Sequence, residues 1–312
     1  MNLATIDVGT NTTLLLVART GPTGPTGPTL EAVEERAEIT RLGRGIGREG
    51  ALDPQAIART LAVLIDFAAI ARRHGARIAA VGTEALRRAP NASAFLEPAA
   101  EILGTGVEVI DGEREAALTF GAVLASFADL GQGELAVVDI GGGSTEIVLA
   151  ADGAVRFRIS LPLGSVRLTE AFVRHDPSTP AERAAIAAAV DAAIAAVPWS
   201  ERPPTLVGVA GTVTSLAAMA LALPSYDAAR VHGHWLSRAE LARQVGRLAA
   251  ATQPEREAMI GLDPRRADVI LAGALILDRI AAAARVNEIR VSDRGIRWGL
   301  AQELAAGDNP GA

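Results

Sequence analysis

The sequence predicts an α/β protein built from two related halves. Three observations lead there. Apolar, strand-like runs alternate with amphipathic or Ala-rich stretches from end to end. Residues 3–19 (LATIDVGTNTTLLLVAR) align without a gap with residues 135–151 (LAVVDIGGGSTEIVLAA), placing Asp7 on Asp139, Gly9 on Gly141 and Thr13 on Thr145. A second pair, IAAVGT at 78–83 and VGVAGT at 207–212, follows at nearly the same separation.

Taken in order, residues 3–19 read as a strand, a turn at Thr10-Asn11-Thr12 and a returning strand. Residues 21–29 (GPTGPTGPT) cannot form a collagen triple helix alone and read as a loop, followed by a strand at 30–40. Residues 41–50 hold four glycines and suggest a mobile connection. Asp53-Pro54 supplies an N-cap and a first-position proline for a helix that stops at Gly75. A strand at 78–81 leads into Gly82-Thr83 and a short helical piece bearing Arg87 and Arg88. A helix closed by Gly104, a strand at 107–110 and a helix from Glu113 follow. The second half repeats the hairpin, continues with a strand at 155–161, and carries a capping box at Thr179–Glu182. A strand at 207–210 meets Gly211-Thr212 and a helix. A long helix is expected after Asp263-Pro264, then a strand at 289–292 and a terminal helix after Gly295. The expected domains are residues 1–125 and 126–312, with both hairpin tips facing a cleft.

Composition excludes several functions. A net charge of −6 argues against nucleic-acid binding, which favours a basic face. All 30 basic residues are arginine. The absence of lysine removes the Walker-A loop as well as Schiff-base and pyridoxal-phosphate chemistry. Any phosphate must therefore be held by arginine, backbone N–H groups and metal. No apolar run spans a bilayer and Asp7 interrupts the first one, so a cytoplasmic protein away from membranes is expected; the lack of cysteine is compatible.

The chemistry concentrates at the repeated turns. Gly141, Gly142 and Gly143 let backbone N–H groups converge on an anion without interference from Cβ atoms. Asp139 and Glu146 flank that turn. Carboxylates beside a phosphate-sized hollow need an intervening cation, and oxygen ligands suit Mg²⁺. Other motifs carry less. Gly43-Arg44-Gly45-Ile46-Gly47 misses the dinucleotide spacing, His232-Gly233-His234 lacks a third metal ligand and reads as a polar loop, and Gly142-Gly143-Ser144 is not a nucleophile elbow.

The series Asp7-Val8-Gly9-Thr10-Asn11-Thr12, Gly82-Thr83-Glu84-Ala85-Leu86-Arg87, Asp139–Glu146 and Gly211-Thr212 resembles the successive motifs of the exopolyphosphatase and guanosine pentaphosphate phosphohydrolase family. Arg266-Ala267-Asp268 and Val291-Ser292-Asp293-Arg294-Gly295 resemble its C-terminal part. The resemblance implies duplicated ribonuclease H-like domains of the actin-like ATPase superfamily flanking a cleft. It also implies hydrolysis of terminal phosphates from inorganic polyphosphate, or of one phosphate from guanosine pentaphosphate, with Mg²⁺ or Mn²⁺. By motif, Glu115 becomes the general base, with Arg114 before it where relatives often carry an acidic residue. Asp139, Glu146 and Asp7 become candidate metal ligands. Gly9, Thr10, Asn11, Thr12, Thr83, Arg87, Gly141, Gly142, Gly143, Ser144, Gly211 and Thr212 become candidate phosphate contacts. Longer relatives carry an added C-terminal helical region that extends the polymer channel, so short chains are expected to be handled well and affinity to stop rising after a modest chain length. A homodimer remains open. The alternatives are a weakly hydrolytic sensor of polyphosphate or nucleotide, or a kinase of the same superfold.

Overall fold

A computed structural model describes residues 1–24 and 27–307. The chain forms two compact units, one from Met1–Ser126 plus the segment beginning at Gly295, the other from Phe127–Arg294.

The first unit holds β1 (Asn2–Val8), β2 (Thr13–Gly24), β3 (Gly27–Glu38), α1 (Ile46–Glu49), α2 (Pro54–Arg73), β4 (Arg77–Gly82), α3 (Glu84–Arg88), α4 (Ser93–Leu103), β5 (Val107–Val109) and α5 (Gly112–Ser126). Its sheet runs β3-β2-β1-β4-β5, with β1 antiparallel to β2 and parallel to β4. The second unit holds β6 (Glu134–Ile140), β7 (Thr145–Ala151), β8 (Ala154–Leu161), α6 (Ser165–Phe172), α7 (Pro180–Ile194), β9 (Thr205–Val209), α8 (Ala210–Ala220), α9 (Ala228–Val231), β10 (Trp235–Ser237), α10 (Arg238–Ala250), α11 (Gln253–Glu257), α12 (Ile270–Ala283) and β11 (Glu288–Val291). Its sheet runs β10-β11-β9-β6-β7-β8. Read outward from the first hairpin, both sheets have three antiparallel strands followed by two parallel ones. This is the order expected of duplicated ribonuclease H-like domains, and β10 is an addition at one edge.

The hairpins share one register. Val8 faces Thr13 as Ile140 faces Thr145, leaving Gly9–Thr12 and Gly141–Ser144 as four-residue turns. The second repeat sits one residue away from its sequence alignment. Val81 lies opposite Asp7 and Val209 opposite Asp139, so Gly82-Thr83 and Gly211-Thr212 are not structural equivalents. Short apolar strands match equally well in either register, and only the pairing with the neighbouring strand decides.

Each unit has its own core. Ile6, Leu15, Leu64, Phe67 and Phe95 are fully or almost fully buried in the first, and Ile140, Ile147, Ile186, Leu206 and Ile276 in the second. Among the described residues α2 alone is long and apolar enough to cross a membrane, but it buries a stripe of Leu64, Phe67, Ala68 and Ala71 in the first core.

Three expectations are corrected. The final helix, α13 (Ile296–Gly307), belongs to the first unit, so the expected second domain of 126–312 ends at Arg294 instead. Its Trp298 and Ala301 pack with Leu16, Ala18 and Ala122, while Leu300 joins Val81, Ile110 and Leu118. The hydroxyl of Thr5 donates to the Arg297 carbonyl at 2.7 Å, and a Cβ on Gly299 would meet the Leu118 carbonyl at 2.1 Å. The GPT triplets extend β2 and β3, with Thr23 opposite Pro28, although residues 25 and 26 lie outside the described part. The long helix begins at Ile270, because Asp263 caps a 3₁₀ turn at Pro264–Arg266 first.

Candidate active site

Both hairpin turns are tied back by their carbonyls. Gly9 N–H donates to Thr12 O and Gly141 N–H to Ser144 O, each at 3.0 Å. Arg41 and Gly43 donate their N–H groups to Asn11 O and Thr10 O at 2.9 Å. In the second unit Ser165 donates to Gly141 O and Val166 to Gly142 O, both at 3.0 Å, and the Arg167 Nε donates to Gly143 O at 2.8 Å. The N–H groups of Thr10, Asn11, Gly142 and Gly143 donate to no acceptor among the described residues, and the Asn11 side-chain amide is buried without one. Turns with spent carbonyls and available N–H groups are suited to anions. Gly9 and Gly141 serve through close approach, not left-handed φ: a Cβ would lie 2.9 Å from Thr12 O and 3.2 Å from Ser144 O. Gly164 matters more, since a Cβ there would fall 2.2 Å from Gly142 O.

Asp139 and Glu146 are direct cross-strand partners, 8% and 5% exposed. The Ser160 hydroxyl on β8 donates to Glu146 Oε1 at 2.6 Å. Asp7 occupies the Asp139 position in the first unit, but its cross-strand partner is Leu14, so the carboxylate pair belongs to the second unit alone. Among the described residues no group of three or more His, Asp or Glu side chains converges as a preformed metal centre. The pair still suits Mg²⁺, which takes oxygen ligands and keeps several waters, so one or two carboxylates suffice. At His232-Gly233-His234, His232 stacks on Phe127 at 4.7 Å and its Nδ1 accepts the Asp293 N–H at 3.3 Å. Burial lowers the His234 pKa below the ordinary histidine value.

Glu115 sits in the first turn of α5 and is only 2% exposed. Arg87 Nη1 donates to Glu115 Oε1 at 3.0 Å and also to the Ile110 carbonyl. Arg87 therefore holds the candidate base, and its remaining N–H groups are those that could reach a phosphate. Arg114 turns away to a two-point pairing with Glu303 on α13, with one contact at 2.6 Å, and hydrogen bonding to Glu303 raises its pKa. Its charge is thus compensated outside the site. Thr83 is 7% exposed and its N–H donates to Val8 O at 3.2 Å, while Thr10 Oγ1 donates to the buried Glu84 at 3.3 Å. These contacts bring Gly9–Thr12, Thr83, Arg87 and Glu115 onto one run of linked elements in the first unit.

In the second unit Gly211 and Thr212 open α8, where Ala210 takes φ +69°. A side-chain-bearing residue in that region stores strain, a recurrent property of functional turns. A Cβ on Gly211 would meet the Arg266 guanidinium at 2.3 Å. Desolvation holds Arg266 below the ordinary arginine pKa. Sequence reasoning gives no role to Ser160, Gly164, Arg167 or the Arg266 packing. Leu163-Gly164-Ser165 directly after a strand is the available signal for the α6 contacts.

The chain belongs to the Ppx/GppA phosphatase family, whose model matches residues 16–306. It is 37% identical to Exopolyphosphatase 2 of Mycobacterium tuberculosis, over 97% of this chain and 98% of that one. It is 30% identical to Exopolyphosphatase 1 of the same organism, over 96% and 87%. Among solved structures, the Aquifex aeolicus Ppx/GppA family member is 34% identical with TM-score 0.81 over 99% of both chains. An exopolyphosphatase from Cytophaga hutchinsonii is 26% identical with TM-score 0.87 over 98% of both chains.

Proposed function

We propose that the protein is an exopolyphosphatase that releases the terminal phosphate of inorganic polyphosphate. The observation that carries the reading is the pair of turns whose carbonyls are consumed while N–H groups stay available, together with an oxygen-only carboxylate pair. The full-length likeness to two proteins named exopolyphosphatase supports it.

Phosphoanhydride hydrolysis needs an aligned water, dispersed charge on the transferring group and a base. Glu115 takes a proton from water as its oxygen forms the new bond to the terminal phosphorus. The bridging P–O bond breaks, and the shortened polyphosphate leaves with the bridging oxygen. Arg87 orients Glu115 and offers its other N–H groups to a phosphate oxygen. Each unit offers contacts to substrate phosphate: N–H groups at Gly9–Thr12 with Thr83 in the first, and N–H groups at Gly141–Ser144 with Gly211 and Thr212 in the second. Asp139 and Glu146 would hold Mg²⁺ or Mn²⁺, directly or through water, and Asp7 is a candidate ligand within the first unit. A bound divalent ion neutralises charge on the phosphate oxygens.

Guanosine pentaphosphate is the second reading. The motifs contain no aromatic platform for a base, which favours polyphosphate. The exposed ring of Tyr226, whose hydroxyl donates to Asp293 Oδ1 at 2.5 Å, is the feature that favours the nucleotide. The deciding experiment measures phosphate release from short polyphosphate, long polyphosphate and guanosine pentaphosphate in parallel, at fixed salt. A polyphosphate should give the highest kcat/KM. A higher value for the nucleotide than for every polyphosphate would reassign the substrate.

A further inference from the structure

The segment between β3 and α2 has no role so far. The sequence suggests a mobile connection, yet it is built against the first turn. Leu42 is 0% exposed, a plug in the first core. Arg41 and Gly43 hydrogen-bond to Asn11 O and Thr10 O. A Cβ on Gly43 would lie 2.5 Å from Thr10 Cγ2 and 3.0 Å from Ala85 Cβ, so the backbone is wedged between the turn and α3, the helix of Arg87 and Arg88. Arg41 takes φ +55° and Gly45 φ +81°, and Arg44 N–H closes back on Arg41 O at 3.1 Å. A non-glycine residue held at positive φ is retained only where the surroundings impose it.

Arg44 stands at the apex of this series of turns, and it is exposed. Its guanidinium has no hydrogen bond or ion pair among the described residues. The arginines of α3 are engaged: Arg87 with Glu115 at 3.0 Å and Arg88 with Glu84 at 3.1 Å. A compact, anchored loop thus carries an uncommitted cation next to a turn suited to a terminal phosphate.

We infer that residues 41–46 form a second phosphate subsite on the first unit, in which Arg44 takes an internal phosphate of the polymer and sets the preference for chain length. This rests on the exopolyphosphatase reading. Arginine suits the task because its planar fork pairs with phosphate oxygens and stays charged at every working pH.

The test compares the parent protein with Arg44→Ala and Arg44→Lys. Two quantities are measured: kcat/KM for phosphate release across polyphosphate lengths, and affinity for a long polyphosphate with divalent metal removed. In Arg44→Ala the ratio of long-chain to short-chain kcat/KM should fall about fivefold to tenfold, carried by KM, and affinity should fall in step. Arg44→Lys, which keeps the charge without the planar fork, should recover only part of both. Equal ratios and affinities in the parent and Arg44→Ala would overturn the subsite while leaving the hydrolase reading intact. Affinity that depends on Arg44 without phosphate release by the parent would keep the subsite and overturn the hydrolase reading.

Discussion

Arg87 and Glu115 meet at 3.0 Å with the Glu115 side chain 3% exposed and that of Arg87 23% exposed. The guanidinium compensates a carboxylate that burial would otherwise penalise. Removing Arg87 takes a compensating charge away from that carboxylate. Arg87→Ala should cost about 2–3 kcal/mol, somewhat below the cost of breaking a fully buried pair because Arg87 is partly solvated. The loss should shrink when Glu115→Gln is made as well, since the carboxylate that Arg87 compensates is then gone. Urea unfolding of the two single variants and the double variant checks this. A cost for Arg87→Ala that is the same with and without Glu115→Gln would show that the pair carries no coupling.

Asp139 and Glu146 face each other across β6 and β7, and Ser160 orients Glu146. Asp139→Asn and Glu146→Gln should each shift the Mg²⁺ titration of activity at least tenfold to higher concentration, and Ser160→Ala should shift it less. Even a residue that only orients a metal ligand commonly costs about tenfold or more in affinity when replaced. Titrations that overlay the parent curve in both carboxylate variants would move the metal elsewhere.

Gly164→Ala places a methyl group 2.2 Å from Gly142 O and 2.5 Å from Gly143 N, both backbone atoms. Rotamer change cannot relieve that, so the turn or α6 must move. A loss of about 1–3 kcal/mol is expected, as for other overpacked sites, with kcat/KM falling at least tenfold. Unfolding curves and activity that match the parent would mean the turn tolerates the shift.

The parts legible in the sequence are those made by contiguous residues. Each strand–turn–strand unit carries its own Asp, glycines and hydroxyls, so Gly9–Thr12 and Gly141–Ser144 can be named, and the repeat exposes the duplication. Contacts arriving from other segments are not legible. Leu163-Gly164-Ser165 after a strand marks where α6 starts, but not that α6 will receive the carbonyls of Gly141–Gly143. The apolar face of α13 announces burial of Trp298 and Leu300 without saying against which unit. The GPT triplets mislead because proline removes a donor and usually ends a strand. Beyond the Asn2–Arg19 pair, β2 runs past β1 and pairs with edge strand β3 alone, where a missing N–H is tolerated. Sequence points Arg87 toward phosphate, but its tie to Glu115 emerges only when two segments are brought together in space.

Acid should probe the start of α7. The Glu182 carboxyl is held at about 2, first by the His175 hydrogen bond and then by the backbone N–H of Thr179. Its folded pKa lies below the ordinary glutamate value of 4.5, so its contribution is present above that value and disappears as pH falls toward about 2. The difference in Tm between the parent and Glu182→Gln should therefore narrow as pH falls below about 4.5. A difference that stays the same from neutrality down to about pH 2 would remove Glu182 from the acid response.

The role of Glu115 is most directly tested by Glu115→Gln at saturating polyphosphate, with substrate affinity measured on the same protein. The isosteric change keeps the packing of a residue that is 2% exposed and deletes the base. Phosphate release should slow by about 10²–10⁴-fold, the usual weight of general-base catalysis, while affinity stays within about threefold of the parent. Near-normal turnover in Glu115→Gln would contradict the mechanism.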